Sequence, residues 1–87
     1  MSDRSDFPAH VLRLRVVAEA DPSVLPRILA SFQHLNLVPR RVAAEADCRE
    51  QLYVEVDIAD FSESRLAIIT ARIAQFPNVL EAYWHPI

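Results

Sequence analysis

The stretch "ADPSVLPRILASFQHLN", residues 20–36, decides the fold because it follows an alternating strand pattern with a helical one. The residues before it, "HVLRLRVVA" at 10–18, place apolar side chains at every second position, as a half-buried strand does. Within the stretch, one stripe of apolar side chains recurs at helical spacing: Leu25, Ile28, Leu29, Phe32 and Leu35. Asn36 stands where a left-handed residue often closes a helix. The pattern predicts a strand and then a helix that packs on the sheet.

Two prolines, Pro22 and Pro26, stand at the start of this helix. The first turn of a helix tolerates proline because its N–H groups have no intrahelical acceptor. If Ser23 caps the helix, Pro26 falls among those N–H groups and costs little. If Asp21 is the cap instead, Pro26 removes a helical hydrogen bond and should distort the first turn. In both cases the helix N-terminus offers a partial positive charge to an anion.

The remaining sequence predicts three strands and a second helix. "LVPRRVAAEA", residues 37–46, is a weak strand, and Pro39 confines it to a sheet edge. "QLYVEVDIA" at 51–59 alternates cleanly, and "VLEAYWHPI" at 79–87 forms a last strand with Trp84 towards the core. Between them, Asp60, or its rival Ser62, caps a helix whose apolar stripe comprises Leu66, Ile69, Ile73 and Phe76.

The element order is therefore βαββαβ, and each strand alternates on one face only. Such elements fit an α+β fold, the ferredoxin-like plait, in which a four-stranded antiparallel sheet carries two helices on one face. Residues 10–87 are expected to form this single domain, and residues 1–9 a flexible N-terminal segment. On the other face, we expect Arg13 and Arg15 to form cross-strand pairs with Glu55 and Asp57.

Composition narrows the function. The chain has no glycine, which excludes a Gly-rich phosphate loop, so turns with positive φ should fall at Asn36, Asp47 and Asn78. A single cysteine, Cys48, cannot form an intrachain disulfide or a metal-thiolate cluster. No apolar run approaches the roughly 20 residues of a membrane span, and the start resembles no signal peptide. We expect a cytoplasmic protein without a cofactor and without membrane contact.

Three other functions of this fold find little support. A net charge of −3 and one tyrosine among the carboxylates of the central strands make a poor RNA platform, so no nucleic-acid partner is expected. His10, His34 and His85 are not spaced as metal ligands, and no metal site is predicted. An acylphosphatase-like enzyme would need a phosphate cradle before the first helix, but Arg27 lies one turn inside that helix.

The turn "EADPS", residues 19–23, resembles the first loop of the ACT domain family, which reads acidic, proline, glycine, apolar, leucine before its helix. The segment "FQHLNLVPRRV" at 32–42 is similar to the family's aromatic-x-x-x-glycine-x-asparagine-isoleucine segment, and "FPNV" at 76–79 to its entry into strand four. Within the family, a freestanding chain with a proline but no following glycine, and with "LPRILASF" at 25–32, looks most like the short small subunit of acetolactate synthase. That likeness implies a non-catalytic subunit that supports or tunes a thiamine-dependent catalytic subunit in branched-chain amino-acid synthesis.

The resemblance also implies a ligand site. Its candidate residues are Ala20, Asp21, Pro22, Ser23, Val24, Leu25 and Val38. Three of them depart from the family pattern, since Ser23 replaces the loop glycine, while Ala20 and Val38 replace asparagines. A Cβ blocks close backbone approach and a lost amide removes a hydrogen bond, so we expect weakened amino-acid binding.

The edge strand predicts the quaternary structure. Its unpaired backbone groups require protection, so we expect a homodimer in which residues 38–45 lie beside their symmetry mates. The candidate edge residues are Val38, Pro39, Arg40, Arg41 and Val42. The expected partners are a second copy, a large catalytic enzyme subunit and a small amino-acid effector. A freestanding amino-acid sensor is the alternative function, and a small acylphosphatase-like enzyme is the third.

Overall fold

The computed structural model describes residues 10–87 and has the predicted βαββαβ order. Its elements are β1 (Val11–Glu19), α1 (Val24–Gln33), β2 (Arg41–Ala46), β3 (Gln51–Ala59), α2 (Glu63–Ile73) and β4 (Val79–Pro86). The strands form one sheet in the order β2-β3-β1-β4, with antiparallel neighbours throughout. This arrangement confirms the ferredoxin-like α+β fold. The flexible segment expected at 1–9 lies outside the described residues.

The core lies between one face of the sheet and the two helices. Alternate residues of β1 and β3 are buried on that face, as the period of two predicts: Leu12, Leu14, Val16, Ala18, Val54, Val56 and Ile58. The helices contribute Val24, Ile28, Phe32, Leu66, Ile69 and Ile73. Trp84 is half-buried against this cluster. Leu35, expected in the stripe of α1, lies beyond the end of that helix and is 36% exposed.

The other face of the sheet carries the expected cross-strand pairs. Arg13 donates two hydrogen bonds to the carboxylate of Asp57, from Nε at 2.7 Å and from Nη2 at 3.0 Å. Arg15 and Arg41 contact the two oxygens of Glu55 at 2.7 and 2.9 Å. The hydrogen bonds from Arg13 hold the pKa of Asp57 below its ordinary value, although Asp57 is buried. The arginine side chains thus pair with both carboxylates, Asp57 and Glu55, on the sheet face that carries no helix.

The turns match the sequence predictions only in part. Asn36 and Asn78 have φ of 61° and 75°, as predicted. The other positive φ values belong to Glu50, at 63°, and Asp60, at 54°. The prediction for Asp47 was wrong because its carboxylate accepts hydrogen bonds from the N–H groups of Arg49 and Gln51 and organises the hairpin turn instead.

The second helix is capped by Ser62 and not by Asp60. The Ser62 side chain accepts a hydrogen bond from the N–H of Arg65 at 3.2 Å, with Ser62 itself extended at φ −68° and ψ 127°. Asp60 lies before this cap, and its N–H donates to the carbonyl of His10 at 2.7 Å. The rival cap named from the sequence is therefore the real one. No helix among residues 10–87 has the length and apolarity of a membrane span.

The second strand is shorter than the sequence pattern suggested. It begins at Arg41, so Val38, Pro39 and Arg40 belong to the preceding connection. Pro39 therefore stands outside the ladder in which it was expected, where its missing N–H costs no sheet hydrogen bond. Arg40 still approaches the sheet, since its N–H donates to the carbonyl of Asp57 at 2.8 Å. Of the five candidate edge residues, only Arg41 and Val42 lie in β2.

Candidate functional site at the junction of β1 and α1

The junction between β1 and α1 is organised by the carboxylate of Asp21. One of its oxygens, Oδ1, accepts both the backbone N–H of Ser23, at 2.9 Å, and the Ser23 hydroxyl, at 2.6 Å. The carbonyl of Asp21 accepts the N–H of Val24 at 3.1 Å. Hydrogen bonds from Ser23 hold the pKa of Asp21 below its ordinary value. The chain thus places one of its own anions at the N-terminus of α1.

Ser23 occupies the N-cap position of α1, but its side chain does not cap the helix. A capping serine accepts the N–H of the second or third helical residue. The third residue of α1 is Pro26, which has no N–H to give. The Ser23 hydroxyl turns back to Asp21 instead, so the prediction of Ser23 as the side-chain cap was wrong. Because Ser23 is at the N-cap position, Pro26 costs no helical hydrogen bond, which is the first of the two alternatives left open by the sequence.

Few backbone amides remain for a ligand at this junction. Ala20 donates to the carbonyl of Glu50 at 2.8 Å, and Asp21 donates to the carbonyl of Glu19 at 2.8 Å. Ser23 and Val24 donate to Asp21, and prolines have no N–H. Leu25 is thus the one residue between Ala20 and Pro26 whose N–H has no acceptor among the described residues. A ligand carboxylate could therefore accept only one backbone hydrogen bond from these residues.

A recess of about 460 Å³ opens beside this junction. It brings together four of the candidate ligand residues, Ala20, Asp21, Pro22 and Leu25, with Pro26 and with Leu52 of β3. Leu52 is half-buried and adds an apolar side chain to the lining of the recess. Two other candidates do not face this recess. Val24 is packed in the core at 3% exposure, and Ser23 is hydrogen-bonded to Asp21.

Val38, the remaining candidate ligand residue, lies in a different recess. This second recess, of about 450 Å³, lies between α1 and the start of β2 and is lined by Pro26, Leu29, Phe32, Leu37, Val38, Pro39 and Val42, among others. Val38 is 88% exposed. Pro26 is the one residue that lines both recesses. Within one chain, the structure therefore does not bring Val38 together with the loop residues.

The β2 edge borders this second recess. Every residue of β2 except Ala43 is exposed, and the strand pairs with β3 on one side only. Val42 lies in the strand at 42% exposure, close to the apolar residues of the recess. An exposed edge beside an apolar surface is a template for pairing with another chain.

Two observations bear on the acylphosphatase-like and metal-binding alternatives. Arg27, the arginine of the acylphosphatase-like alternative, lies with its guanidinium carbon 5.7 Å from the ring centroid of Phe76. That contact joins Arg27 to the segment after α2. Among residues 10–87, no three His, Cys, Asp or Glu side chains are grouped as ligands of a metal ion.

Sequence reasoning missed two features of the junction. Leu52 belongs to another strand, and only the three-dimensional pairing of the strands brings it to the recess. The bonding of Asp21 had a local signal, because an Asp two residues before Ser23 can accept the serine N–H in an Asx turn. Pro26 was a second signal, because without its N–H the Ser23 side chain has no donor at the third helical residue and is free to bond Asp21.

Comparison with known proteins identifies a family for this chain. The family model described as an ACT-like domain matches residues 7–87. No curated protein matches the chain.

Three solved structures share the fold at low sequence identity. The C-terminal domain of the MgtC protein from Mycobacterium tuberculosis aligns with a TM-score of 0.74 at 13% identity, covering 100% of this chain and 94% of that one. The ACT domain of GTP pyrophosphokinase from Chlorobium tepidum aligns at 0.73 and 12% identity, over 86% of this chain and 96% of that one. The uncharacterized protein TM1266 from Thermotoga maritima aligns at 0.71 and 9% identity, over 88% and 95%. With the family match spanning nearly the whole chain, this protein belongs to the ACT-like domain family.

Proposed function

We propose that this chain is a non-catalytic regulatory subunit that forms a homodimer through the edge of β2 and supports or tunes a partner enzyme of amino-acid metabolism. The observation that carries the proposal is the exposed edge of β2 beside an apolar recess. Membership of the ACT-like family is consistent with a regulatory role. The partner we propose is the catalytic subunit of acetolactate synthase, because "LPRILASF" and the glycine-free loop resemble the small subunits of that enzyme.

The dimer is supported by the distribution of exposed apolar side chains. Val38 and Val42 are 88% and 42% exposed, and both lie at the β2 end of the sheet. Pairing β2 with a second copy would bond the unpaired backbone groups and remove these side chains from water in one step. In a two-fold dimer the same patch meets itself, so each recess is covered by the partner's copy.

The proposed amino-acid site is weakened, and Asp21 supplies the reason. A ligand carboxylate would have to approach an Asp21 carboxylate that already accepts both donors of Ser23. Like charges in contact repel, and displacing Asp21 would break two existing hydrogen bonds. Isothermal titration with valine, leucine and isoleucine should therefore show millimolar binding at best. Micromolar affinity for any of the three would contradict a weakened site.

The dimer is tested by light scattering on the purified chain at micromolar concentration. Val42→Glu should convert the dimer to a monomer, because two carboxylates would meet across the strand pair. Leu80→Glu is the matched control, since Leu80 is 55% exposed and lies in β4 at the other edge of the sheet. A monomeric wild type, or loss of the dimer in the control alone, would contradict an interface at β2.

The partner is tested by co-expression with the acetolactate synthase catalytic subunit from the same source. Co-purification and a change in the synthase rate on addition of the chain are the expected results. Absence of both would remove acetolactate synthase as the partner.

A freestanding amino-acid sensor is the second candidate, and the recess bounded by Asp21 and Leu52 favours it. A thermal shift caused by one amino acid, in the absence of any partner, would support the sensor over the subunit.

A further inference from the structure

A groove of about 300 Å³ runs between α1 and α2 on the outer side of the helix layer. Its apolar floor consists of the apolar lining residues, Ala30, Leu35, Ile69 and Phe76. Ile69 is buried, whereas Leu35 is 36% exposed. The groove is therefore an apolar channel that opens to solvent. It is separate from the recesses beside Asp21 and Val38, with which it shares no apolar lining residue other than Ala30.

The walls of this groove carry only one sign of charge. The charged residues are Arg27 from α1 and Arg72 from α2, and no carboxylate lines the groove among the described residues. Neither Arg27 nor Arg72 forms an ion pair with another described residue. Asp21 is near enough to Arg27 for that charge to help lower the Asp21 pKa, but it faces the junction. In a chain of net charge −3, this is a local basic surface.

We propose that this groove docks a segment of a partner protein that presents one or two apolar side chains flanked by carboxylates. The apolar floor would take the side chains, and Arg27 and Arg72 would pair with the carboxylates on either side. The inference rests on the proposed role as a supporting subunit and adds the surface by which the partner enzyme is held. Because the groove lies on the helix layer and β2 on the sheet edge, a dimer would carry two such grooves.

A protein segment fits this groove better than a membrane or a second copy of the chain. An anionic membrane would be repelled by the net charge of −3, whereas a short acidic segment meets only the local basic surface. The site proposed for a second copy is the β2 edge, where Val38 and Val42 are 88% and 42% exposed.

The probe is a synthetic helix-forming peptide of about 14 residues with Leu and Phe on one face and Glu beside them. Fluorescence anisotropy with the full chain should show saturable binding below about 100 μM, weakening as salt is added. Arg27→Gln and Arg72→Gln should each weaken binding about three- to fivefold, and together about tenfold or more. Arg49→Gln makes the same charge change in the exposed β2–β3 turn and should leave binding unchanged.

A charge exchange makes the test independent of general stability. The Arg27→Glu/Arg72→Glu variant should lose the Glu peptide and gain a matched Lys peptide of the same apolar face. Light scattering on the same samples reports whether the dimer persists, so a dimeric wild type that does not bind the Glu peptide is a failure of this proposal alone. Equal weakening by Arg49→Gln, absence of binding to the wild type, or binding to anionic phosphatidylserine vesicles in preference to the peptide would each overturn it.

Discussion

Both strand-to-helix junctions of this domain have a serine at the N-cap position, but one serine hydroxyl accepts a hydrogen bond and the other donates one. Ser62 accepts the N–H of Arg65, the third residue of α2. At the same position of α1 stands Pro26, so Ser23 has no such donor and donates to Asp21 instead. The comparison shows that a missing N–H three residues inside a helix can redirect the loop before it. It also places a carboxylate of the chain where related domains are expected to bind an anion.

The largest expected effect concerns ligand binding at the α1 junction. Asp21→Ala removes the carboxylate and releases the Ser23 N–H, so valine binding should tighten about tenfold while the melting temperature falls. Isothermal titration and thermal denaturation measure the two changes. Ser62→Ala is the control, because it weakens the other cap without touching the recess, and unchanged valine binding in both variants would show that Asp21 blocks no site.

The second effect contrasts the two serines directly. Ser62→Ala should lower the free energy of unfolding by about 1 kcal/mol because it removes a side-chain cap. Ser23→Ala should cost only a few tenths of a kcal/mol, because its backbone N–H to Asp21 remains. Urea denaturation of both variants gives the comparison. Equal losses would mean that Ser23 caps α1 in solution.

The third effect comes from restoring the missing donor. Pro26→Ala supplies an N–H that Ser23 can accept, so the two junctions should become alike. The pKa of Asp21, now held low by Ser23, should rise towards its ordinary value in a nuclear magnetic resonance titration. The free energy of unfolding should change by less than about 1 kcal/mol, because the gained cap is offset by a more flexible unfolded chain. An unchanged Asp21 pKa would contradict the exchange of partners.

The smallest effect is a difference in pH dependence. The folded pKa of Asp21 is below its unfolded value, so its contribution to stability is present above the ordinary pKa of 3.8 and is lost as pH falls through the folded pKa. The gap in melting temperature between wild type and Asp21→Asn should therefore narrow below about pH 4. The gap for Ser62→Ala should stay constant, because a serine hydroxyl does not titrate in this range. A parallel narrowing in both variants would assign the effect to other groups.

The sequence predicted the parts of the fold that depend on periodicity. Alternation placed Leu12, Leu14 and Val16 in the core, and the register then brought Arg13 opposite Asp57. Asn36 and Asn78 could be assigned positive φ because asparagine tolerates that region. Glu50 could not, since its conformation comes from closing the β2–β3 turn and not from its own preference.

The candidate site was predictable only as a list of loop residues. Asp21, Pro22 and Leu25 do border one recess, but its wall at Leu52 depends on the pairing of β1 with β3. Val38 was grouped with them from the family resemblance, and within one chain it borders a separate recess. A second copy is the element that could bring Val38 of one chain to the loop of another, which is information that a single chain does not contain.

The positive φ at Glu50 bears on the order in which the sheet assembles. Positive φ costs a residue with a Cβ roughly 1 kcal/mol of conformational free energy, so the turn of the isolated β2–β3 hairpin forms less readily. We expect the turn to become stable only after β3 has paired with β1, so that β2 is added last, at the edge. We expect its amides to exchange with deuterated water sooner than those of β1 and β3 in the monomer. The strand proposed to meet a second copy is thus the one that we expect to join the sheet last.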